Sequence, residues 1–264
     1  DIFPSGGLLR FDRLGMTLRQ SGHELAFVPL SDHPAPDRQI ASPVVSLKHA
    51  GAMRWDAVMV PGAGFPNETI EKLAIFRQNN FGVRVQHVLN DQSRRHLFKK
   101  VNQALAPHLV IFNNLRWPVG SYTDFNADRF HVLLGAVNLQ SFHPLPYRSH
   151  PLTAGKWVVG GLANKNPQPI IEALDYLPHE VVLRLFGADH HGLAETHREL
   201  IDSGRLELAG LLHDEDLAHY YHNVDCVAMT ETFAGWANLA AEAMASGVPV
   251  LCTPHGTEAF ARHL

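Results

Sequence analysis

The feature that most constrains this chain is a regular alternation of short apolar runs with longer amphipathic or alanine-rich stretches. An apolar run of roughly four to eight residues fits a strand buried on both faces, and a longer helical stretch supplies the layer that covers it. Repeated in series, the two give parallel sheets flanked by helices, an α/β architecture. In the first half LLRFDRLGMTLRQSG predicts a helix stopped by Gly22, and ELAFVPL, WDAVMVPG, FGVRVQHVL, HLVIFNN and RFHVLLGAV predict strands. ETIEKLAIFRQN and RRHLFKKVNQAL are the intervening helices. In the second half KWVVGGL, EVVLRLFG, RLELAGLL, DCVAMT and VPVLCT predict strands. NPQPIIEALDYL, GLAETHRELIDSG, DEDLAHYYHN and WANLAAEAMASG lie between them as helices.

At 264 residues the chain exceeds the usual span of roughly 100 to 200 residues for one domain. The stretch SFHPLPYRSHPLT carries three prolines in thirteen residues and no periodicity, the composition of a linker. The boundary is therefore expected near Ser149, with domains over 1–148 and 149–264. Two successive α/β halves joined by a hinge predict a ligand cleft between them, outside the carboxyl ends of both sheets. The chain reads as incomplete at both ends. It opens on DIFPSGG, where a doubly wound domain would already have passed its first strand, and it stops in AFARHL, partway into a further helix.

Composition excludes several classes. A 45% hydrophobic and 18% charged sequence is that of a globular protein rather than a disordered one. A net charge of -4 supplies no general attraction to nucleic acid. No apolar run reaches the roughly 20 residues that cross a bilayer, and no basic-then-apolar leader opens the chain, so a cytoplasmic location is expected. Peripheral contact at the inner membrane face stays open. Cys226 and Cys252 sit in strand-like apolar runs and read as small buried hydrophobes, with no disulfide or zinc framework. The eighteen histidines are scattered without ligand spacing, so no metal site is expected.

Several residues stand where chemistry would be done. Gly6 and Gly7 lie in a loop entering a helix, where a backbone can approach a phosphate or sugar closely, or simply turn. Lys165, in GGLANKN, follows the first strand of the second half and would stand at the carboxyl edge of the sheet, to neutralise a diphosphate or to remain solvated in a connecting loop. In ETFAGWANLAAEAMASGVPVLCT a loop containing Gly235 runs into a helix whose first turn holds Asn238 and Leu239, so its free amides can meet an anion. Glu242 lies one helical turn after Asn238 on the same face, placed to accept hydrogen bonds from a ribose diol or to stand exposed. His87 closes a strand, as an active-site group or as a hydrogen-bonded structural residue.

Together these segments resemble the group-one retaining glycosyltransferases of the GT-B fold, often called family four. GAVNLQSFHP is similar to the passage that closes the family's first domain, and GGLANKNPQPIIEAL to the strand, basic loop and helix that open its donor domain. VVLRLFGAD and LAGLLHDEDLAHYYHNVDCVAMTET resemble the segments that follow, and AAEAMASGVPVLCT is similar to the family's Glu-Ala-Met-Ala-x-Gly-x-Pro-Val signature. The resemblance implies two Rossmann-like domains facing across a cleft. It further implies transfer of a sugar, with retention, from a nucleoside-diphosphate sugar to a glycan, lipid-linked or small-molecule acceptor, with no cofactor or metal.

Under that resemblance Lys165 meets the diphosphate, Glu242 the ribose, and Leu211 and Leu212 the base through their backbone. Gly235 and the amides of Asn238 and Leu239 face the phosphates. Gly6 and Gly7 would face donor phosphates and acceptor, and His87 the transferred sugar. The pattern departs in two places. Glycine or valine stands where the family has an arginine about four or five positions before the lysine of GGLANK, and Ala234 stands where it has a glutamate eight positions before Glu242, leaving Glu231 as a candidate sugar contact. A nucleotide-sugar epimerase on the same fold and a catalytically degenerate sugar-nucleotide-binding protein are the alternatives.

Overall fold

A computed structural model describes residues 6–30, 41–61, 67–88, 95–113, 125–145, 155–212, 214–231 and 236–253. The chain divides into two compact units, Asp1–Leu134 and Gly135–Leu264.

The first unit opens with helix α1 (Gly6–Gln20), which ends as expected at Gly22 in the left-handed region, φ +87°. Gly6 and Gly7 are the first two positions of this helix rather than a loop ahead of it. Asp12 is buried and anchors α1, its carboxylate accepting the backbone N–H groups of Ala41 and Ser42 at 2.9 and 3.0 Å. After the short helix α2 (Leu47–Ala52) come β1 (Trp55–Pro61), α3 (Asn67–Ile70) with a 3₁₀ turn over Glu71–Arg77, and β2 (Phe81–Val88). Helix α4 (Arg95–Leu105), β3 (Leu109–Phe112) and β4 (Arg129–Val132) follow.

The four strands form one parallel sheet in the order β1-β2-β3-β4. Leu73, Phe76, Phe81, Val101 and Leu105 pack into one core cluster, and Val88, Phe98, Val110, Phe112 and Phe125 into another. ELAFVPL does not enter this sheet. Phe27 makes only an isolated parallel bridge with Val44, its N–H donating to the Pro43 carbonyl at 2.7 Å.

The second unit runs β5 (Trp157–Leu162), α5 (Gln168–Ala173), β6 (Val181–Phe186), α6 (Leu193–Thr196), α7 (Arg198–Asp202) and β7 (Leu206–Gly210). Helix α8 (Asp214–His222), β8 (Cys226–Met229), α9 (Asn238–Ala245) and β9 (Val250–Cys252) follow. All five strands are parallel, in the order β7-β6-β5-β8-β9. The chain thus builds outward from β5 to one side and then returns to build the other. This arrangement is the doubly wound Rossmann-like one, with its topological switch between β5 and β8.

The unit division falls before the boundary expected near Ser149, and packing explains why. Val137 and Phe142 join the core of the second unit, where Phe142 is fully buried and meets the ring of Tyr221 edge-on at 5.8 Å. No room remains for a Cβ between Gly135 and the indole of Trp236. The cysteines also differ from expectation. Cys226 on β8 is half-buried, with burial pushing its thiol pKa up, whereas Cys252 is exposed on the edge strand β9.

Gly160 and Gly161 of β5 make space for a buried tyrosine. The Tyr220 hydroxyl donates to the Arg184 carbonyl of β6 at 2.6 Å and accepts the Gly161 N–H at 2.9 Å. Burial holds this phenol well above its ordinary pKa, so it keeps the proton it donates. Tyr220→Phe strips partners from two main-chain groups in the β5–β6 core. A loss of about 1–3 kcal/mol is expected from stranding such groups, read as a lower urea midpoint with unchanged slope.

Candidate functional site

In an open doubly wound sheet the ligand crevice lies outside the carboxyl ends of the strands that flank the topological switch. For the second unit those strands are β5 and β8, so the loops after Leu162 and Met229 must line it. The first loop carries Asn164, Lys165 and Asn166, and the second Thr230 and Glu231. The structure joins them. Lys165 Nζ lies 3.5 Å from Glu231 Oε1, with the lysine side chain 53% exposed and the glutamate 10%. Asn166 Nδ2 donates to the Thr230 carbonyl at 2.8 Å, and the Thr230 hydroxyl donates to the Asn166 carbonyl at 2.5 Å. From the next strand, the Thr253 hydroxyl donates to the Glu231 carbonyl at 2.5 Å.

The energetics of this edge matter for what it can do. An ion pair with one half-exposed partner contributes at most about 1 kcal/mol, so it orients Lys165 without locking it away from an incoming anion. A lysine of this kind is a mobile point charge suited to phosphate oxygens. Helix α9 begins close by in sequence, and its first turn has no side-chain cap. The leading amides of a helix lack intrahelical partners and favour an anion.

Asn238 is half-buried at the first position of α9, and Leu239 is buried behind it. Glu242, one turn on, is only 4% exposed, so it is not a solvated helical glutamate. The Tyr221 hydroxyl donates to its Oε2 at 3.1 Å. A carboxylate this deep needs hydrogen-bonding partners to offset its desolvation, and Tyr221 supplies one. Leu211 and Leu212 follow β7 at the carboxyl side of the same sheet, Leu211 exposed and Leu212 packed against the core. Gly235 and Ala234 lie outside the described residues.

The two glycines five and four positions before Lys165 have a structural reason: a Cβ at Gly160 would sit 2.8 Å from the Tyr220 hydroxyl oxygen and 3.2 Å from Val224 Cγ1. A Cβ at Gly161 would sit 2.9 Å from Leu185 Cδ2, 3.0 Å from Ile170 Cδ1 and 3.2 Å from the Ala228 carbonyl oxygen. The volume around β5 is already filled. Of the residues that reasoning from sequence missed, Asn166, Tyr221 and Thr253 had only weak signals. Each is a polar residue beside a strand end or in a helix, and only the fold reveals its partner.

In the first unit, His87 sits near the carboxyl end of β2, 1% exposed, and packs edge-on against the Phe11 ring at 5.5 Å. Gly6 and Gly7 open α1 in that unit.

Residues 157–263 match the family model for glycosyl transferases group 1. The matched span lies within the second unit. A search of curated proteins finds no match. Among solved structures the chain is similar to HepE of Anabaena, solved with UDP and glucose, at 17% identity and a TM-score of 0.71, over 98% of this chain and 80% of that one. It is also similar to WaaG, a glycosyltransferase involved in lipopolysaccharide biosynthesis, at 15% identity and a TM-score of 0.69, covering 99% and 81%. Sucrose-phosphate synthase of Thermosynechococcus elongatus aligns at 16% identity and a TM-score of 0.66, covering 97% and 77%. These likenesses fix the fold of this chain as GT-B, consistent with two units of parallel α/β structure. Among the described residues, no helix is long and apolar enough to cross a membrane.

Proposed function

We propose that this chain is a glycosyltransferase that takes a sugar from a nucleoside-diphosphate donor held by its second unit and passes it to a glycan, lipid-linked or small-molecule acceptor, retaining the anomeric configuration. The observation that carries the reading is the placement of Lys165 and Glu231 across the carboxyl ends of β5 and β8. Lys165 neutralises the diphosphate, the opening amides of α9 with Asn238 and Leu239 add partial positive charge, and Glu242 takes the ribose hydroxyls beside its bond from Tyr221. Glu231 contacts the sugar while keeping Lys165 in place, Leu211 and Leu212 offer backbone to the base, and Gly235 lies in the phosphate-facing loop. Gly6, Gly7 and His87 serve the acceptor side. HepE has been solved with UDP-glucose, which makes a UDP-sugar the first donor to try.

Chemically, the departing diphosphate gains charge as the glycosidic bond to phosphorus-bound oxygen breaks. Groups placed in advance at that oxygen stabilise the transition state more than the ground state. Lys165 and the helix amides do this with no metal required, and the departing phosphate oxygen can take the acceptor hydroxyl's proton.

The test is incubation of the chain with UDP-, GDP-, ADP- and dTDP-sugars, with and without oligosaccharide and glycolipid acceptors. Acceptor-dependent release of the nucleoside diphosphate, with a product of unchanged anomeric configuration by NMR, is the expected result. An altered free nucleotide sugar without acceptor would instead identify an epimerase, and tight binding without turnover a degenerate protein.

A further inference from the structure

We propose that Asn166 is a positioning residue for the donor diphosphate, acting through Lys165 and Glu231; the proposal rests on the donor reading above. Asn166 directly follows Lys165 and holds φ +51°, in the left-handed region where glycine is the unstrained choice. Asparagine tolerates that conformation but gains nothing from it by itself. It is exposed, so packing does not explain the choice either.

What the side chain does is reach the neighbouring strand end. Its Nδ2 donates to the Thr230 carbonyl at 2.8 Å, and the Thr230 hydroxyl returns a bond to the Asn166 carbonyl at 2.5 Å. Thr230 is the residue immediately before Glu231. The two bonds therefore join the residue after the lysine to the residue before the glutamate, and Lys165 and Glu231 are left 3.5 Å apart between them.

The clasp extends to a third strand end. The Thr253 hydroxyl donates to the Glu231 carbonyl at 2.5 Å, and the Thr253 N–H donates to the Met229 carbonyl at 3.0 Å. Loops after β5, β8 and β9 are thereby held as one rim. A half-exposed lysine on a four-carbon stem loses much rotamer freedom when it meets an anion. A rim that fixes its backbone and its carboxylate partner reduces that loss, which is the physical content of preorganisation.

Asn166→Gly is the decisive variant because glycine keeps the left-handed backbone and removes only the amide. Binding is measured by calorimetry with whichever of UDP, GDP, ADP and dTDP binds the wild-type chain most tightly, and with the matching nucleoside. The expected result is a loss of about 3- to 10-fold in diphosphate affinity, the worth of one net hydrogen bond. Nucleoside affinity stays unchanged, and the melting temperature moves by no more than about 2 °C, since one exposed side-chain bond contributes little to folding. Thr230→Val should give the same selective loss, and Thr230→Ser, which keeps a hydroxyl, should restore it. Unchanged diphosphate affinity in Asn166→Gly overturns the proposal. So does an equal loss for nucleoside and diphosphate, which would mark a general distortion of the unit. A wild-type chain that binds none of the four diphosphates overturns the donor reading itself, and the role of Asn166 with it.

Discussion

Lys165→Ala is expected to slow sugar transfer about 10²- to 10³-fold in kcat at saturating donor, the usual effect of deleting one charge-stabilising group at a departing or developing anion. The lysine is the cation that the second unit places at the β5–β8 edge beside Glu231. Because its charge is felt most when the leaving oxygen is fully anionic, the loss falls on kcat more than on donor KM. Truncation also leaves Glu231, with a side chain only 10% exposed, without its cation. The double variant Lys165→Ala/Glu231→Gln separates the two effects. Set beside Glu231→Gln alone, the double variant matches that single variant if the stranded carboxylate causes the loss, and falls well below it if Lys165 acts on the diphosphate. Initial rates within about threefold of wild type for Lys165→Ala would remove Lys165 from the chemistry.

Gly161→Arg, which puts an arginine into β5 four positions before Lys165, is expected to damage the fold rather than improve the site. The Cβ alone would press on Leu185, Ile170 and the Ala228 carbonyl, the last of which is main chain and cannot rotate away. Overpacking costs about 1–3 kcal/mol, and the guanidinium adds the desolvation of a charge in an apolar layer. At roughly 2–4 °C per kcal/mol for a chain of this size, a total of about 3 kcal/mol or more lowers the melting temperature by about 6–12 °C. It also disturbs the Gly161 N–H that Tyr220 holds. Thermal melts beside calorimetry with UDP check this. An unchanged melting temperature with tighter UDP binding would show that space for the arginine exists.

Most strands were legible because parallel strands buried on both faces leave continuous apolar runs such as VVLRLF and WVVGGL, bounded by glycine and polar residues. ELAFVPL has the same apolar character, yet only Phe27 pairs, because composition does not say whether a neighbouring strand is there to receive it. Helix α2 is six residues long, too short for periodicity to register, and its start depends on the Ser46 side chain capping His49. The proline-rich stretch drew the domain boundary toward Ser149. Val137 and Phe142 belong to the second core through contacts with residues far along the chain, which local composition cannot display.

The site was legible in the same measure. Lys165 could be placed at a sheet edge from chain order alone. Its partner Glu231 could not be assigned, because their approach depends on β8 lying beside β5 rather than beside β7, its predecessor in sequence. Glu242 read equally well as an exposed residue until Tyr221 was found bonded to it in the interior.

The central claim is a nucleoside-diphosphate site at the carboxyl edge of β5 and β8. Calorimetric titration of UDP, GDP, ADP and dTDP, each beside its nucleoside, into wild type and Lys165→Ala tests it most directly. One diphosphate should bind at one site per chain, and Lys165→Ala should weaken it at least about tenfold, as expected for a charge-assisted phosphate contact, while nucleoside affinity is preserved. Binding of no diphosphate, or binding that Lys165→Ala leaves unchanged, would contradict the account.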